Sequence, residues 1–168
     1  MSNSDFPRMR YSDVTEFAVL DQSAGAFPNL AGGGLADAVT AETTAGCQTA
    51  STNIQGCKQL DIFVDVTNVP INSKLYLKIR FSGKQAPDPT VATDWGFVQI
   101  DDIAAATGLS SVKEYVIEVD LVNVNGVANA FPRRYCFRIE QISGRFASAI
   151  IWSDTANVQG TVYFQRRS

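Results

Sequence analysis

The sequence predicts an all-β fold, an antiparallel β-sandwich of about eight strands of the jelly-roll or Ig-like type. Runs of alternating apolar and polar residues recur at short, regular spacing, and most are rich in β-branched and aromatic side chains. Such alternation places one set of side chains toward a core and the other toward solvent. The chain has 168 residues, enough for one well-buried core. We therefore expect an extended N-terminal arm over residues 1–12 and a single sandwich domain over residues 13–168.

The clearest alternation lies in residues 60–81. Two apolar runs flank residues 68–73, which have the Asn, Pro and Ser content of a turn. We interpret these runs as a hairpin at the centre of an antiparallel sheet, with acidic residues exposed on its first strand and basic residues exposed on its second. Opposite charges on paired strands stabilise a sheet modestly. The apolar positions are Leu60, Ile62, Val64, Val66, Leu75, Leu77, Ile79 and Phe81, and the charged positions are Asp61, Asp65, Lys78 and Arg80.

Before this hairpin, a first strand is predicted at residues 14–20, where the alternation is weak. Residues 21–56 are rich in Ala, Gly, Ser and Thr. The glycine run at residues 32–34 lacks the Gly-Lys-Ser/Thr sequence of a phosphate loop, so we interpret it as a flexible connection. One helical turn is expected at residues 35–39, and a short strand at residues 48–54.

After the hairpin, we expect a surface loop over residues 82–89, whose two prolines protect a sheet edge from further pairing. A short helix is expected over residues 103–108, because acidic residues precede it and Gly108 can end it. The remaining strands are predicted at residues 95–100, 115–121, 133–140, 147–152 and 161–165.

Charge is unevenly distributed along the chain, whose net charge is −3. Residues 11–57 contain five acidic residues and no Lys or Arg, whereas residues 121–168 contain six Arg and two acidic residues. The arginines are scattered rather than interleaved with stacking aromatics, and the pI is about 4.9, so we do not expect nucleic-acid binding. Contacts between subunits are one interpretation of the opposite charges, and ordinary solvated surface charge is the other.

The absence of histidine excludes Ser-His-Asp and Cys-His catalysis and removes most common zinc sites. Carboxylate pairs are the remaining route to acid–base catalysis, but their neighbours favour a structural role. These pairs are Asp61 with Asp65, Glu118 with Asp120, and Asp101 with Asp102. Asp101 and Asp102 suit a helix N-terminus, and calcium binding there would need further ligands. We therefore expect no enzymatic activity and no cofactor.

Cysteine and tryptophan residues give two further expectations. Cys47, Cys57 and Cys136 form an odd set without the paired spacing of a zinc site, so we expect free thiols, although a Cys47–Cys57 disulfide stays possible. Trp95 and Trp152 suit the core of a sandwich, with a carbohydrate-stacking platform as the alternative. No apolar run approaches the roughly 20 residues that span a bilayer, and no secretory signal is recognisable. We therefore expect synthesis in the cytoplasm and no membrane partner.

From about Val14 to Gln165, the order of these segments resembles that of small virion proteins of tailed bacteriophages. The segments that carry the resemblance are FAVL, DIFVDVTNV, KLYLKIRFSGK, EYVIEVDL, FPRRYCFRIEQ and GTVYFQ. The chain departs from that family at Tyr135-Cys136, where an aromatic-Arg pair is usual, and in its longer N-terminal arm.

This resemblance implies a non-enzymatic structural protein of the virion, a capsid decoration or accessory protein that binds the major capsid protein or other virion proteins and forms homo-oligomers. A carbohydrate- or receptor-binding module of a phage tail or fibre is the alternative. The arm mixes aromatics with arginines, the residue types that contribute most to interfaces. We therefore expect Phe6, Arg8, Arg10 and Tyr11 to contact a neighbouring subunit or the capsid.

Overall fold

The strands predicted from the alternation make up most of the described structure. The computed structural model describes residues 16–30, 34–69, 73–96, 98–100, 110–112, 114–121, 134–140, 142 and 144–167. The arm at residues 1–12 and the helix expected at residues 103–108 lie outside these residues. The described elements are β1 (Phe17–Gln22), α1 (Ala38–Thr43), β2 (Thr52–Asn53), β3 (Gln59–Asn68), β4 (Ser73–Ser82), β5 (Val98–Ile100), β6 (Ser110–Val112), β7 (Glu114–Leu121), β8 (Arg134–Glu140), β9 (Phe146–Ser153) and β10 (Gln159–Arg167), with 3-10 turns at Gly34–Asp37 and Ala92–Asp94.

Eight of these strands form two four-stranded antiparallel sheets. Sheet 1 has the order β1-β10-β3-β8, and sheet 2 has the order β2-β9-β4-β7. Strands β5 and β6 form a separate antiparallel pair. The two large sheets enclose one apolar core, which confirms the predicted antiparallel β-sandwich.

The predicted hairpin is wrong, because β3 and β4 lie in different sheets. β3 pairs with β10 and β8, and β4 pairs with β9 and β7. The chain crosses from sheet 1 to sheet 2 between them. Alternation shows which face of each strand is apolar but not which strand is its neighbour. Here the two apolar faces meet across the core instead of lying side by side in one sheet.

The core contains the alternate apolar residues of β3 and β4, as predicted, together with residues from the later strands. Side chains of β1, β9 and β10 complete it, so most of the strands in the two sheets contribute to one cluster. The buried set includes Val19, Leu60, Ile62, Val64, Val66, Leu75, Leu77, Ile79, Phe81, Leu121, Ile139, Ala149, Ile151, Val162 and Phe164. In β8 the predicted inward residues Tyr135, Phe137 and Ile139 also pack against this core.

The outer face of sheet 2, which points away from the core, is also covered. The covering residues come from α1 and from the segments between the strands. Tyr76 stacks on Trp152 with ring centroids 5.5 Å apart. Ala41 of α1 and Cys47 pack with this pair and with Ile150 in a second, smaller apolar cluster. Sheet 2 therefore has two buried faces.

The prediction that Lys78 and Arg80 are exposed is consequently wrong. Both are buried, at 7% and 0% relative exposure. Lys78 forms an ion pair with Glu42 of α1. Arg80 donates to the carbonyl oxygen of Pro89, and its guanidinium lies 4.7 Å from the ring centre of Trp95. The residues that cover sheet 2 thus supply a polar partner for each of these two side chains, which are removed from water.

The smaller elements differ from prediction mainly in their bounds. The first strand is β1, which begins at Phe17, and the helical turn expected at residues 35–39 is a 3-10 turn that continues into α1. The strand expected at residues 48–54 is reduced to β2 and an isolated bridge between Gln48 and Ile150. The loop expected at residues 82–89 continues to a 3-10 turn that ends at Asp94.

Gly160 of β10 gives the first testable prediction, since it lies close to the backbone of β3. A Cβ atom there would be 2.3 Å from the carbonyl oxygen of Asp65 and 3.1 Å from Cε2 of Phe27. Because the backbone must shift to accept a methyl group, Gly160→Ala should lower the free energy of unfolding by about 1–3 kcal/mol. A Cβ atom at Gly83 would have no neighbour within 4 Å. Gly83→Ala is thus the matched control and should change stability by less than about 1 kcal/mol. Urea denaturation measures both, and equal effects would contradict the close approach.

Candidate interaction surface

The outer face of sheet 1 presents charged and aromatic side chains to solvent, and we call it the open face. Register places residues of three strands beside one another there: Phe63 of β3 pairs with Cys136 of β8 and with Tyr163 of β10. Phe63 and Tyr163 are half-buried and Cys136 is exposed. The open face is therefore formed by the polar sides of alternating strands, with two aromatic rings at its centre.

One charge cluster of the open face is centred on Asp61. Arg138 donates to it from Nε at 2.9 Å, Arg167 donates from Nε at 2.8 Å, and Gln59 donates from Nε2 at 2.8 Å. The arginine side chains keep 51% and 40% of their exposure, but the Asp61 side chain keeps none. The prediction that Asp61 is exposed is wrong, because long side chains of both neighbouring strands fold over it.

The ionised form of Asp61 is stabilised by these neighbours. Burial alone raises the pKa of a carboxyl group, but the hydrogen bonds from Arg138 and Gln59 and the positive charges of Arg138 and Arg167 outweigh it. The pKa of Asp61 therefore lies below its ordinary value, and the carboxylate stays charged at neutral pH. A carboxylate held in this way acts as a structural anion and is poorly suited to accept a proton during catalysis.

The second charge cluster is centred on Arg134. Its Nε atom donates to Asp65 at 2.5 Å, and its Nη1 atom donates to Glu16 at 2.9 Å. Its guanidinium carbon lies 5.2 Å from the ring centre of Phe63 and 5.7 Å from that of Tyr163. The hydrogen bonds that Arg134 donates to Asp65, together with the negative charges of Asp65 and Glu16, raise the pKa of Arg134. Arg134 thus extends across the open face, where it contacts both the carboxylates and the aromatic rings of that face.

The acidic residues of β3 therefore pair with arginines of the C-terminal part of the chain, and the predicted pairing with Lys78 and Arg80 is wrong. Asp61 lies opposite Arg138 and Asp65 lies opposite Arg134 in the β3–β8 register. The sequence contains a signal for this arrangement: two acidic residues four positions apart match two arginines four positions apart on another alternating strand. This matched spacing was missed by reasoning from adjacent segments alone.

A shallow groove of about 320 Å³ lies at the edge where β1 meets residues 50–53. Ala50 donates its backbone N–H to the carbonyl oxygen of Val19 at 3.0 Å, which joins the two walls. Arg166 donates to the carbonyl oxygen of Asn53 at 2.9 Å and lies over the ring of Phe17. The groove is open to solvent and mixes apolar and polar atoms.

The two tryptophans do not form an exposed platform. Trp95 has 6% relative exposure and Trp152 has none. Arg80 lies over the ring of Trp95, whose Nε1 atom donates to the carbonyl oxygen of Asp88 at 2.7 Å. The stacked Tyr76 covers Trp152. The interpretation of these rings as core residues is confirmed, and they offer no face for stacking a sugar.

The cysteines and Glu118, which the sequence analysis considered as possible reactive groups, have surroundings typical of structural residues. Cys47, Cys57 and Cys136 are free thiols, and burial raises the pKa of Cys47 to about 12. Glu118 binds Lys74 at 2.6 Å. In the described part of the chain, no group of three or more Cys, Asp or Glu residues could hold a metal ion, and no helix is long and apolar enough to cross a membrane.

The predicted interface residues Phe6, Arg8, Arg10 and Tyr11 lie outside the described residues, as does the Asp101–Asp102 pair. The description begins at Glu16, whose carboxylate is bound by Arg134. Comparison with protein-family models, with curated proteins and with solved structures found no match.

Asp61→Asn should lower the free energy of unfolding by about 2 kcal/mol, because it removes a charge that two arginines and a glutamine satisfy. Glu118→Gln is the matched control: it breaks the ion pair with Lys74, whose side chains are 42% and 34% exposed, and should cost less than about 1 kcal/mol. Chemical denaturation at pH 7 compares the two. A larger cost for Glu118→Gln would show that Asp61 is an ordinary surface charge.

The stability difference between wild type and Asp61→Asn should also depend on pH. Because the pKa of Asp61 is lower in the folded state, its charge stabilises the fold fully above the unfolded pKa of about 3.9. This contribution is lost as the pH falls through the folded pKa. The stability difference between wild type and Asp61→Asn should therefore be constant from pH 7 down to about pH 5 and should narrow below about pH 4. Denaturation curves across this range measure it, and a difference that widens in acid would refute the assignment.

Proposed function

We propose that this protein is a non-enzymatic structural virion protein of a tailed bacteriophage, a capsid-associated decoration or accessory protein that acts through protein–protein contacts. Its partners are the major capsid protein or other virion proteins, together with further copies of itself. It is made in the host cytoplasm and acts in the virion. The proposal involves no nucleic acid, membrane or cofactor.

The strand order of the two sheets is the observation that carries this proposal. When the β5–β6 pair is set aside, successive strands alternate between sheets except at β4 and β7, which are neighbours in sheet 2. The resulting orders, β1-β10-β3-β8 and β2-β9-β4-β7, correspond to two Greek keys wound into an eight-stranded sandwich. Ig-like sandwiches place their strands in a different order. We therefore infer the jelly-roll type, which occurs in viral capsid proteins and lectins.

The chemistry of the open face supports a binding role. It presents three arginine side chains that keep between 40% and 51% of their exposure, next to the half-buried rings of Phe63 and Tyr163. Arginine and aromatic residues are enriched in protein interfaces. Because neighbouring carboxylates and rings already hold the arginines in place, a partner that binds them pays less conformational entropy.

The alternative, a carbohydrate- or receptor-binding module of a tail or fibre, draws support from the same strand order, since lectins also use jelly rolls. Its proposed residues do not suit that role, because Trp95 and Trp152 are both buried. A sugar-binding function would need other residues. A protein-binding function has a candidate surface in the open face, so we favour it.

The arm provides the test of the proposed function. The triple variant Phe6→Ala, Arg8→Ala, Arg10→Ala should keep the sandwich folded and lose at least about tenfold in capsid affinity, because aromatic and arginine anchors often contribute 2 kcal/mol or more each. Ser2→Ala with Ser4→Ala is the control within the same arm. Co-sedimentation with capsids that lack this protein measures binding, and circular dichroism checks the fold. Full affinity of the triple variant would exclude the arm as an anchor, and failure of the wild type to bind would reject the capsid role.

A further inference from the structure

We propose that one end of the sandwich binds an extended acidic segment of the capsid surface, with a carboxylate of that segment on Arg166 and an apolar side chain in the groove beside Phe17. We call this end the basic end and define it by the exposed cations Lys58, Arg145 and Arg166. This contact rests on the proposed function, since it names the chemistry of the capsid partner. It lies beside the open face and leaves that face available to the same partner.

Hydrogen bonds to the segment between β2 and β3 place the three cations at the same end of the sandwich. Lys58 belongs to this segment. The carbonyl oxygen of Arg145 accepts the N–H of Ile54 at 2.8 Å. Nη1 of Arg166 donates to the carbonyl oxygen of Asn53, the last residue of β2, at 2.9 Å. Three strand ends and one short connection thus bring together cations that are far apart in the sequence.

The cations of the basic end have no carboxylate partner among the residues that the structure describes. A partner's carboxylate can therefore bind them without breaking an ion pair that stabilises the fold. The other solvent-accessible cations in the described part of the chain are already paired: Lys74 with Glu118, Lys84 with Asp94, Arg134 with Asp65 and Glu16, and both Arg138 and Arg167 with Asp61.

The basic end is positive although the chain as a whole has a net charge of −3. In the adjoining rows of sheet 1, the charges of Arg138 and Arg167 are balanced by those of Asp61 and Glu140. Asp88, in the loop after β4, adds one negative charge on the side of sheet 2. The three cations outnumber it, so an excess of positive charge remains. Such a patch attracts an acidic partner and disfavours a basic one.

The groove of about 320 Å³ adjoins these cations, because Arg166 lines it together with Phe17 and residues 50–53. It lies between β1 and β2, which are edge strands of the two described sheets. An open groove between strand edges suits an extended segment whose apolar side chains enter it.

Arg166 is held in a position from which it can bind a carboxylate. Its guanidinium carbon lies 5.4 Å from the ring centre of Phe17, and one of its N–H groups is bound by Asn53. A guanidinium has five N–H donors, so others can form charge-assisted hydrogen bonds with a partner. Because these contacts already restrict the side chain, binding costs less conformational entropy.

The basic end is also continuous with the open face. The N–H of Lys58 donates to the carbonyl oxygen of Arg167 at 2.9 Å, and the side chain of Arg167 covers Asp61 on the open face. A capsid protein that lies against the open face can therefore place an acidic segment on the basic end.

Neutralising single cations in the full chain tests this contact. Lys58→Gln, Arg145→Gln and Arg166→Gln should each lower the affinity for capsids that lack this protein by about fivefold at low salt, and the triple variant by at least about thirtyfold. Lys74→Gln is the matched control: it removes the same charge at the opposite end of β4 and should leave the affinity unchanged. High salt should weaken wild-type binding and reduce the difference between wild type and the triple variant. Co-sedimentation measures affinity, and circular dichroism checks the fold.

Acetylation of lysines in the wild-type protein locates the contact independently of any substitution. Mass spectrometry after treatment with sulfo-NHS acetate should show Lys58 protected on the capsid relative to the free protein, with Lys74 equally reactive in both. Normal affinity of the triple variant, or an unprotected Lys58 on the capsid, would overturn the contact while keeping the capsid role. Failure of the wild type to bind capsids would reject the proposed function and this contact together. Protection of Lys58 in the free protein that weakens on dilution would show that a second copy occupies the basic end, and it would overturn the assignment to the capsid.

Discussion

Burial of Lys78 and Arg80 on the outer face of sheet 2 is the constraint on which the arrangement of the chain depends. Charged groups removed from water cost several kcal/mol unless polar partners replace the water. Glu42 of α1 partners Lys78, while the carbonyl oxygen of Pro89 and the ring of Trp95 contact Arg80. These contacts hold α1 and the loop after β4 against sheet 2. The small cluster around Trp152 adds apolar burial to the same contact.

The two sheets differ as a result. β4 is buried along almost its whole length on both faces, whereas β8 alternates regularly between exposed and covered residues. Charges in sheet 1 are satisfied differently, by arginine side chains that lie along the surface and cover Asp61 while keeping their own contact with water. The outer face of sheet 2 is thus covered by other segments of the chain, whereas the outer face of sheet 1 keeps its polar and aromatic side chains at the surface.

The alternation of the sequence predicted the β class, the sandwich, and the buried positions of β3 and β4 such as Ile62 and Leu77. The alternation did not predict which strands are neighbours. A period of two shows which side chains share a face of a strand, but the pairing of strands depends on the whole fold. The alternation also failed for Arg80, since a strand buried on both faces contradicts the rule that charged positions face solvent. The strand order of the two sheets depends on pairings between distant segments and needed the structure.

The candidate site was less predictable than the fold. Asp61 was identified as a charged strand residue, but its burial depends on two arginines from strands that are distant in sequence. The matched four-residue spacing of Asp61 and Asp65 with Arg134 and Arg138 contained that information. Such spacing becomes useful only when the antiparallel pairing of β3 with β8 is known. The four interface residues predicted in the arm stay a prediction.

The central claim is that the molecule binds its neighbours through the open face and the arm, with the covered face of sheet 2 turned away from them. A cryo-EM map of particles with and without this protein, at a resolution that orients the sandwich, tests it most directly. The account predicts difference density for the sandwich in which sheet 1 and its β8 edge lie against the neighbouring subunits. Density in which α1 and the loop after β4 form the contact, or the absence of any difference density, would contradict it.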